Sequence, residues 1–269
     1  MFTGLTPVQE VLFLGLYLRA LDCRSRDPIL GDTTSAELVE TIDYDFTRLR
    51  VPNSVVLVHA VRAKTLDDVI RRFVARHPDA VVLDLGSGLD PRAHRCDPPS
   101  GVDWYDIDLP EVTRIRERFL PGHSHLVGAD LTTTTGWLDG IPADRPTVIV
   151  TDGLMALLPG ETFKAMARTL TSHFSTGNFA FNAYTPFAMR VAKYGPAFGA
   201  LHIPTVGEGI RDPREPESWG VRLTLIEELL LARAPEVGKY PQPLRAIARL
   251  TARSTRISRA GDRIVRYGF

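Results

Sequence analysis

Two glycines and two carboxylates stand at spacings that could do chemistry. Asp84, Gly86 and Gly88 fall in Val81-Val82-Leu83-Asp84-Leu85-Gly86-Ser87-Gly88-Leu89-Asp90, and Asp108 falls in Trp104-Tyr105-Asp106-Ile107-Asp108-Leu109-Pro110. The first segment reads as a buried strand ending in a tight glycine turn, where no Cβ blocks the close approach of backbone to a ligand. The second reads as another strand, whose final carboxylate can accept from ribose hydroxyls. A nicotinamide fingerprint would need a third glycine at position 91, but Pro91 stands there and offers no N–H to a pyrophosphate. The acidic-x-G-x-G pattern suits S-adenosylmethionine, which carries no phosphate and needs no phosphate cradle.

Further strand ends repeat the pattern. Asp130, in Gly128-Ala129-Asp130-Leu131, could accept from an adenine amino group while the Leu131 backbone reaches the ring. Asp152, in Val150-Thr151-Asp152-Gly153, could hold an ammonium group. Asp108 could equally cap the helix that opens at Leu109-Pro110-Glu111. Arg62, on the helix before the first strand, offers the forked guanidinium that a free amino-acid carboxylate requires. His123 and His125 lack a third ligand at metal spacing and read as strand residues, and His94 with Cys96 makes no metal set. Ser87 lies in G-S-G rather than G-x-S-x-G, which argues against a nucleophile elbow.

The elements that must position these residues follow from periodicity. Pro7 opens a helical segment with Val8, Val11, Leu12, Leu16 and Leu21 at helical spacing. Ser35 to Thr41 and Val55 to Arg76 read as two more helices, the last ending before Pro78. Strands are expected at Ala80–Leu85, Asp103–Asp108, His123–Gly128, Thr147–Thr151, Gly177–Tyr184, Arg222–Glu227 and Arg263–Phe269. Helices are expected at Leu109–Phe119, Gly160–His173 and Pro243–Thr251. This rhythm implies an α/β chain with a doubly wound, mostly parallel seven-stranded sheet and ligands at its carboxyl edge. A single domain results: residues 1–78 form a helical lid, and residues 79–269 form the Rossmann-like core. The proline- and glycine-rich segment Pro186 to Gly220 makes an excursion over the active-site face.

Bulk properties narrow the partners. With 44% hydrophobic residues, 269 residues can bury a sizeable core. Lys plus Arg and Asp plus Glu number 32 each, so net charge gives no reason to expect nucleic acid or an anionic membrane. The C-terminal arginines (245, 249, 253, 256, 259, 263 and 266) read as a solvated helix face and strand edge. Cys23 and Cys96 form no CxxC, which suits a reducing cytoplasm. The apolar run Val11 to Leu18 is too short to cross a bilayer.

At these residues the chain resembles the leucine carboxyl methyltransferase superfamily, and within it the polyketide-type (TcmP-like) O-methyltransferases. The resemblance runs from Val8-Gln9-Glu10 through Arg26-Asp27-Pro28-Ile29-Leu30, Ile42-Asp43-Tyr44-Asp45-Phe46 and Arg62-Ala63-Lys64-Thr65-Leu66-Asp67. It is most specific at Leu85-Gly86-Ser87-Gly88-Leu89-Asp90-Pro91-Arg92 with Tyr105-Asp106-Ile107-Asp108-Leu109-Pro110-Glu111-Val112, and it closes at Arg263–Phe269. The resemblance implies a class I methyltransferase fold using S-adenosylmethionine. Arg62 would then meet the methionine carboxylate, and Gly86 and Gly88 would line the methionine and ribose. Asp108 would take the ribose hydroxyls, and Asp130 with Leu131 the adenine. Asp152 stands where the family usually has glutamate, Leu157 where it has tyrosine, and Pro91 where serine or threonine is common.

The expected activity is O-methylation of a carboxylate or phenol of a small molecule, in the manner of secondary metabolism. Tyr17, Tyr44, Arg92 and Tyr184 are the candidates for the acceptor side, and no catalytic acid or base is assigned. Methylation of a protein C-terminal carboxylate is the second reading. A binding protein that keeps the fold without turnover is the third.

Overall fold

The computed structural model describes residues 7–133, 136–194 and 206–269. Seven strands form one sheet: β1 (Val81–Leu85), β2 (Asp103–Asp108), β3 (His125–Gly128), β4 (Thr147–Thr151), β5 (Gly177–Ala183), β6 (Thr224–Leu230) and β7 (Arg263–Gly268), in the order β3-β2-β1-β4-β5-β7-β6. β1 to β5 run parallel, and β7 inserts antiparallel between β5 and β6. The order reverses beside β1, so the crevice for a ligand opens over the tips of β1 and β4. β1 and β4 are buried along their whole length, as strands covered on both faces must be.

Helices pack on both faces because each strand alternates its side chains. Val81, Leu83, Leu85, Ile149, Phe179 and Phe181 meet Phe163, Met166 and Leu170 of a helix at Gly160–His173. Val82, Val148, Val150, Ala180 and Ile264 meet Val61, Val69, Ile70 and Phe73 of α3 (Asn53–Val74). α3 is thus a layer of the core as well as a neighbour of the N-terminal helices. Those are α1 (Pro7–Cys23) and α2 (Thr33–Thr41), whose Leu12, Phe13, Leu16 and Leu38 close a third cluster on Leu89 and Val112.

Most expected bounds move by one or two residues, for local reasons. β3 begins at His125 rather than His123, because Gly122 (φ +80°) and His123 (φ +73°) form a left-handed turn. β6 begins at Thr224 because Arg222 instead donates to the carbonyls of Thr171 (3.1 Å) and Phe174 (2.8 Å) at the end of the Gly160–His173 helix. The C-terminal arginines are only partly solvated. Arg263 is fully buried on Glu228 (2.7 Å), and Arg266 pairs with Glu227 (2.8 Å). Within the expected excursion a helix spans Pro186–Tyr194, residues 195–205 lie outside the described residues, and the chain returns where Ile210 N–H donates to Tyr184 O at 2.8 Å.

A buried charge lattice holds the glycine turn. Arg92, on α4 (Arg92–Cys96), reaches Asp67 of α3 (2.7 Å), Asp84 of β1 (2.9 Å) and Asp90 of the turn (3.0 Å). Arg95 bridges Asp32, Asp67 and Asp90 at 2.8, 2.9 and 2.6 Å. Arg19 of α1 donates to Leu89 O (2.8 Å) and faces Asp32 (3.3 Å). Removing one member of such a buried set strands its partners without water. Arg92→Met should therefore cost about 3–5 kcal/mol in urea denaturation. Arg214→Met, which breaks an exposed pair with Glu217 (3.2 Å), should cost under about 1 kcal/mol. Equal losses for the two would contradict this ranking.

Candidate active site

The turn after β1 is left-handed at Gly86 (φ +66°) and Gly88 (φ +53°), which an L side chain resists. A Cβ built on Gly88 would meet Leu12 Cδ2 of α1 at 2.9 Å, so the backbone here passes close under the N-terminal helix. The Gly88 N–H donates to Asp108 Oδ2 at 2.8 Å, and the Leu109 N–H donates to Asp108 Oδ1 at 2.7 Å. Asp108 therefore ties the first strand's turn to the second strand's tip. Burial raises its carboxyl pKa, partly offset by these two N–H donors.

Arg62 lies beyond the tips of β4 and β5, one turn along α3 from His59. Its Nε is 2.5 Å from Asp152 Oδ1, and its Nη1 donates to the Tyr184 hydroxyl at 3.2 Å and lies 3.4 Å from Asp262 Oδ2. Its Nη2 meets His59 Nδ1 at 3.0 Å. A guanidinium can only donate, so His59 Nδ1 accepts and the ring carries its proton on Nε2. Burial, then Arg62, lowers the His59 pKa to about 3 and keeps the ring neutral. Asn182, from the end of β5, accepts the Gly153 N–H at 2.6 Å and sets the turn that carries Asp152.

Several buried polar atoms around these tips have no protein partner. Among them are His59 Nε2, Ser87 Oγ beside the glycine turn, Thr151 Oγ1 at the end of β4 and Asn182 Nδ2 near the end of β5. Unsatisfied buried donors and acceptors cost free energy, so a polar ligand that supplies their partners is favoured there. The donor set fits an amino acid joined to a nucleoside. A guanidinium and carboxylates suit an α-carboxylate and ammonium, and Asp108 suits a diol, while Leu154 and Leu12 stand against Gly86 and Gly88 of the turn.

The remaining sequence candidates divide. Asp130 is exposed and its Oδ1 accepts the Thr132 N–H at 2.9 Å, while Leu131 is buried beside it. Asp84 is 2% exposed, and its Oδ2 accepts from Arg92 Nε at 2.9 Å. Arg92 corrects the expectation of an acceptor-side arginine: at 1% exposure it spends its guanidinium on three carboxylates. Tyr17 and Tyr44 are half-buried and make ring contacts in the N-terminal cluster. Tyr17 stacks on Phe46 at 5.5 Å, and Tyr44 lies 4.9 Å from both Phe13 and Phe46. Tyr184 does reach the strand tips, beside Arg62. Sequence reasoning missed His59 and Asp262. His59 had a usable signal, being three residues before Arg62 on one helical face. Asp262 had none, because only the insertion of β7 brings it there.

A parallel sheet with helices on both faces, reversed beside a glycine turn and bearing acids at successive strand tips, defines a class I S-adenosylmethionine-dependent methyltransferase. The family profile of leucine carboxyl methyltransferase matches residues 14–171, and the chain belongs to that family. It is 39% identical, over 98% of each chain, to the tetracenomycin polyketide synthesis O-methyltransferase TcmP of Streptomyces glaucescens. It is 30% identical to the S-adenosyl-L-methionine-dependent methyltransferase dpfgK of Gibberella zeae, over 63% of this chain and 62% of that protein. Among solved structures, the plantazolicin methyltransferase BamL, bound to S-adenosylhomocysteine, shares the fold with a TM-score of 0.51. That alignment is 8% identical and covers 97% of this chain and 98% of that one.

The low His59 pKa has a testable consequence. An unfolded histidine takes a proton near pH 6.5, whereas the folded ring refuses it until about 3. The unfolded state thus binds more protons in that window, so stability contributed by neutral His59 is lost as pH falls from 6.5. Between pH 7 and 4.5 the wild type should lose about 2 kcal/mol that His59→Gln does not lose. Parallel urea-stability curves for the two proteins would rule out this assignment.

Proposed function

We propose that this methyltransferase esterifies a carboxylate of a small, polyketide-like acid. In this reading Arg62 and Asp152 hold the methionine carboxylate and ammonium, Gly86 and Gly88 line the methionine and ribose, Asp108 takes the ribose diol, and Asp130 with Leu131 and Leu109 frames the adenine. The N-terminal helices belong to the same single domain and cover the crevice, with Leu12 over the glycine turn. Bound there, S-adenosylmethionine supplies an electrophilic methyl group on a sulfonium sulfur. The chain's own residues align that carbon with the acceptor oxygen and exclude water, and positioning of this kind contributes up to about 7–11 kcal/mol.

The observation that carries the carboxylate is the state of the titratable groups at the strand tips. His59 is held neutral with a pKa of about 3 and is a poor proton acceptor at pH 7. Asp152 is committed to Arg62, and burial pushes the Tyr184 phenol above its ordinary range. A carboxylic acid arrives already ionised near pH 7 and needs no base, whereas a phenol would need one. The relation to a polyketide O-methyltransferase supports a small oxygen acceptor. The two free cysteines suit residence in a reducing cytoplasm.

Two measurements test this reading. Methyl-labelled cofactor and a panel of aromatic acids and phenols should give an alkali-labile product, since esters release methanol in base and aryl ethers do not. Alkali-stable label would assign the phenol instead. Asp108→Ala should weaken S-adenosylmethionine binding at least about tenfold, equivalent to about 1.4 kcal/mol, without unfolding the chain. Equal affinity in the folded variant would remove Asp108 from the site.

A further inference from the structure

One half-buried guanidinium faces two half-buried carboxylates at the tips of β4 and β7. Arg62 lies 2.5 Å from Asp152 and 3.4 Å from Asp262, whose side chains are 14% and 19% exposed. The other two groups in contact with Arg62 bring no charge, since His59 is a neutral acceptor and Tyr184 an un-ionised phenol. The nearest other acids have cationic partners of their own. Glu236, the next acid outward, faces Lys64 at 3.7 Å, and Asp90 on the other side is held by Arg92 and Arg95. The cluster thus carries one surplus negative charge in a poorly solvated place. Such a charge is costly until a cation joins it.

We propose that Asp262 is a specificity-determining residue, whose surplus charge favours the cationic cofactor over its neutral product. The inference rests on the cofactor placement given above. S-adenosylmethionine has one carboxylate, one ammonium and one sulfonium, a net charge of plus one. When the methyl group leaves, the sulfur keeps the bonding electron pair, and S-adenosylhomocysteine is net neutral. Asp152 is matched by Arg62 or by the ligand's ammonium, and the ligand's carboxylate by Arg62. Asp262 is then left to oppose the sulfonium charge through a medium of low effective dielectric. The same carboxyl is raised above its ordinary pKa, by burial first and with a contribution from Asp152, as an unbalanced acid should be. Loss of the sulfonium at each turnover restores the imbalance and weakens the hold on the product.

Three ligands separate this from a packing role. S-adenosylmethionine and sinefungin both carry a cationic centre near the position of the sulfur, and S-adenosylhomocysteine does not. By calorimetry, Asp262→Asn should weaken the two cationic ligands about tenfold relative to S-adenosylhomocysteine, and Asp262→Glu should retain the wild-type ratio. A parallel loss for all three ligands, or none, in folded Asp262→Asn overturns the proposal while leaving the cofactor site standing. If Asp262→Asn does not fold, Asp262→Ser takes its place: the same selective loss of the two cationic ligands in the folded variant supports the proposal, and a parallel loss for all three or none overturns it. Wild-type protein that binds none of the three overturns the placement itself.

Discussion

The lattice of Arg19, Arg92 and Arg95 with Asp32, Asp67, Asp84 and Asp90 is the constraint on which the site depends. It lies almost wholly out of water, and it joins α1, α2, α3, α4, β1 and the glycine turn at one place. Burial pushes the Asp84 carboxyl up to about 7 against the pull of Arg92. Burial also opposes ionisation of Asp90, but Arg19, Arg95 and Arg92 outweigh it and hold that carboxyl well below its ordinary range. A hydrophobic replacement could bury equal area, but it would not set the turn's backbone by directional bonds. Arg116 adds to the hold from the far side, donating to Gly88 O (2.9 Å) and Asp90 O (2.8 Å) while pairing with Asp106.

The lattice works from beneath, and the crevice is read from above. Asp108 receives the Gly88 and Leu109 N–H groups, so its position follows the turn's position. Leu12 lies over the turn on a helix that Arg19, two turns along α1, ties to Leu89 O and Asp32. The lattice sets three arginines against four aspartates, each held by directional bonds out of water. Around Arg62 a single guanidinium, itself 14% exposed, meets two carboxylates.

Much of the fold was legible because its signals are local. β4 at Thr147–Thr151 and the helix at Gly160–His173 have their expected bounds, since both are bracketed by turn residues and follow one clear period. The placement of Asp108 and Asp152 at the ends of β2 and β4 was legible as well, because both close short strands followed by turn residues. Arg92 misled for a definite reason. A charged residue just after a glycine turn looks available for substrate, and only the convergence of Asp67, Asp84 and Asp90 shows that it is spent.

By itself, the order of residues determined the strand–turn–helix alternation, the glycine turn, its acid partner one strand later and hence the class of cofactor. Each of these depends on neighbours close in the chain, where steric limits on φ and the period of side chains act directly. Tertiary structure alone decided which charges cancel. Asp262 meets Arg62 across 200 residues because β7 runs antiparallel between β5 and β6. Arg92 meets Asp67 across 25 because α3 packs beneath β1. Coulombic balance is set by distance in space and by exclusion of water, and neither is a property of any stretch of sequence.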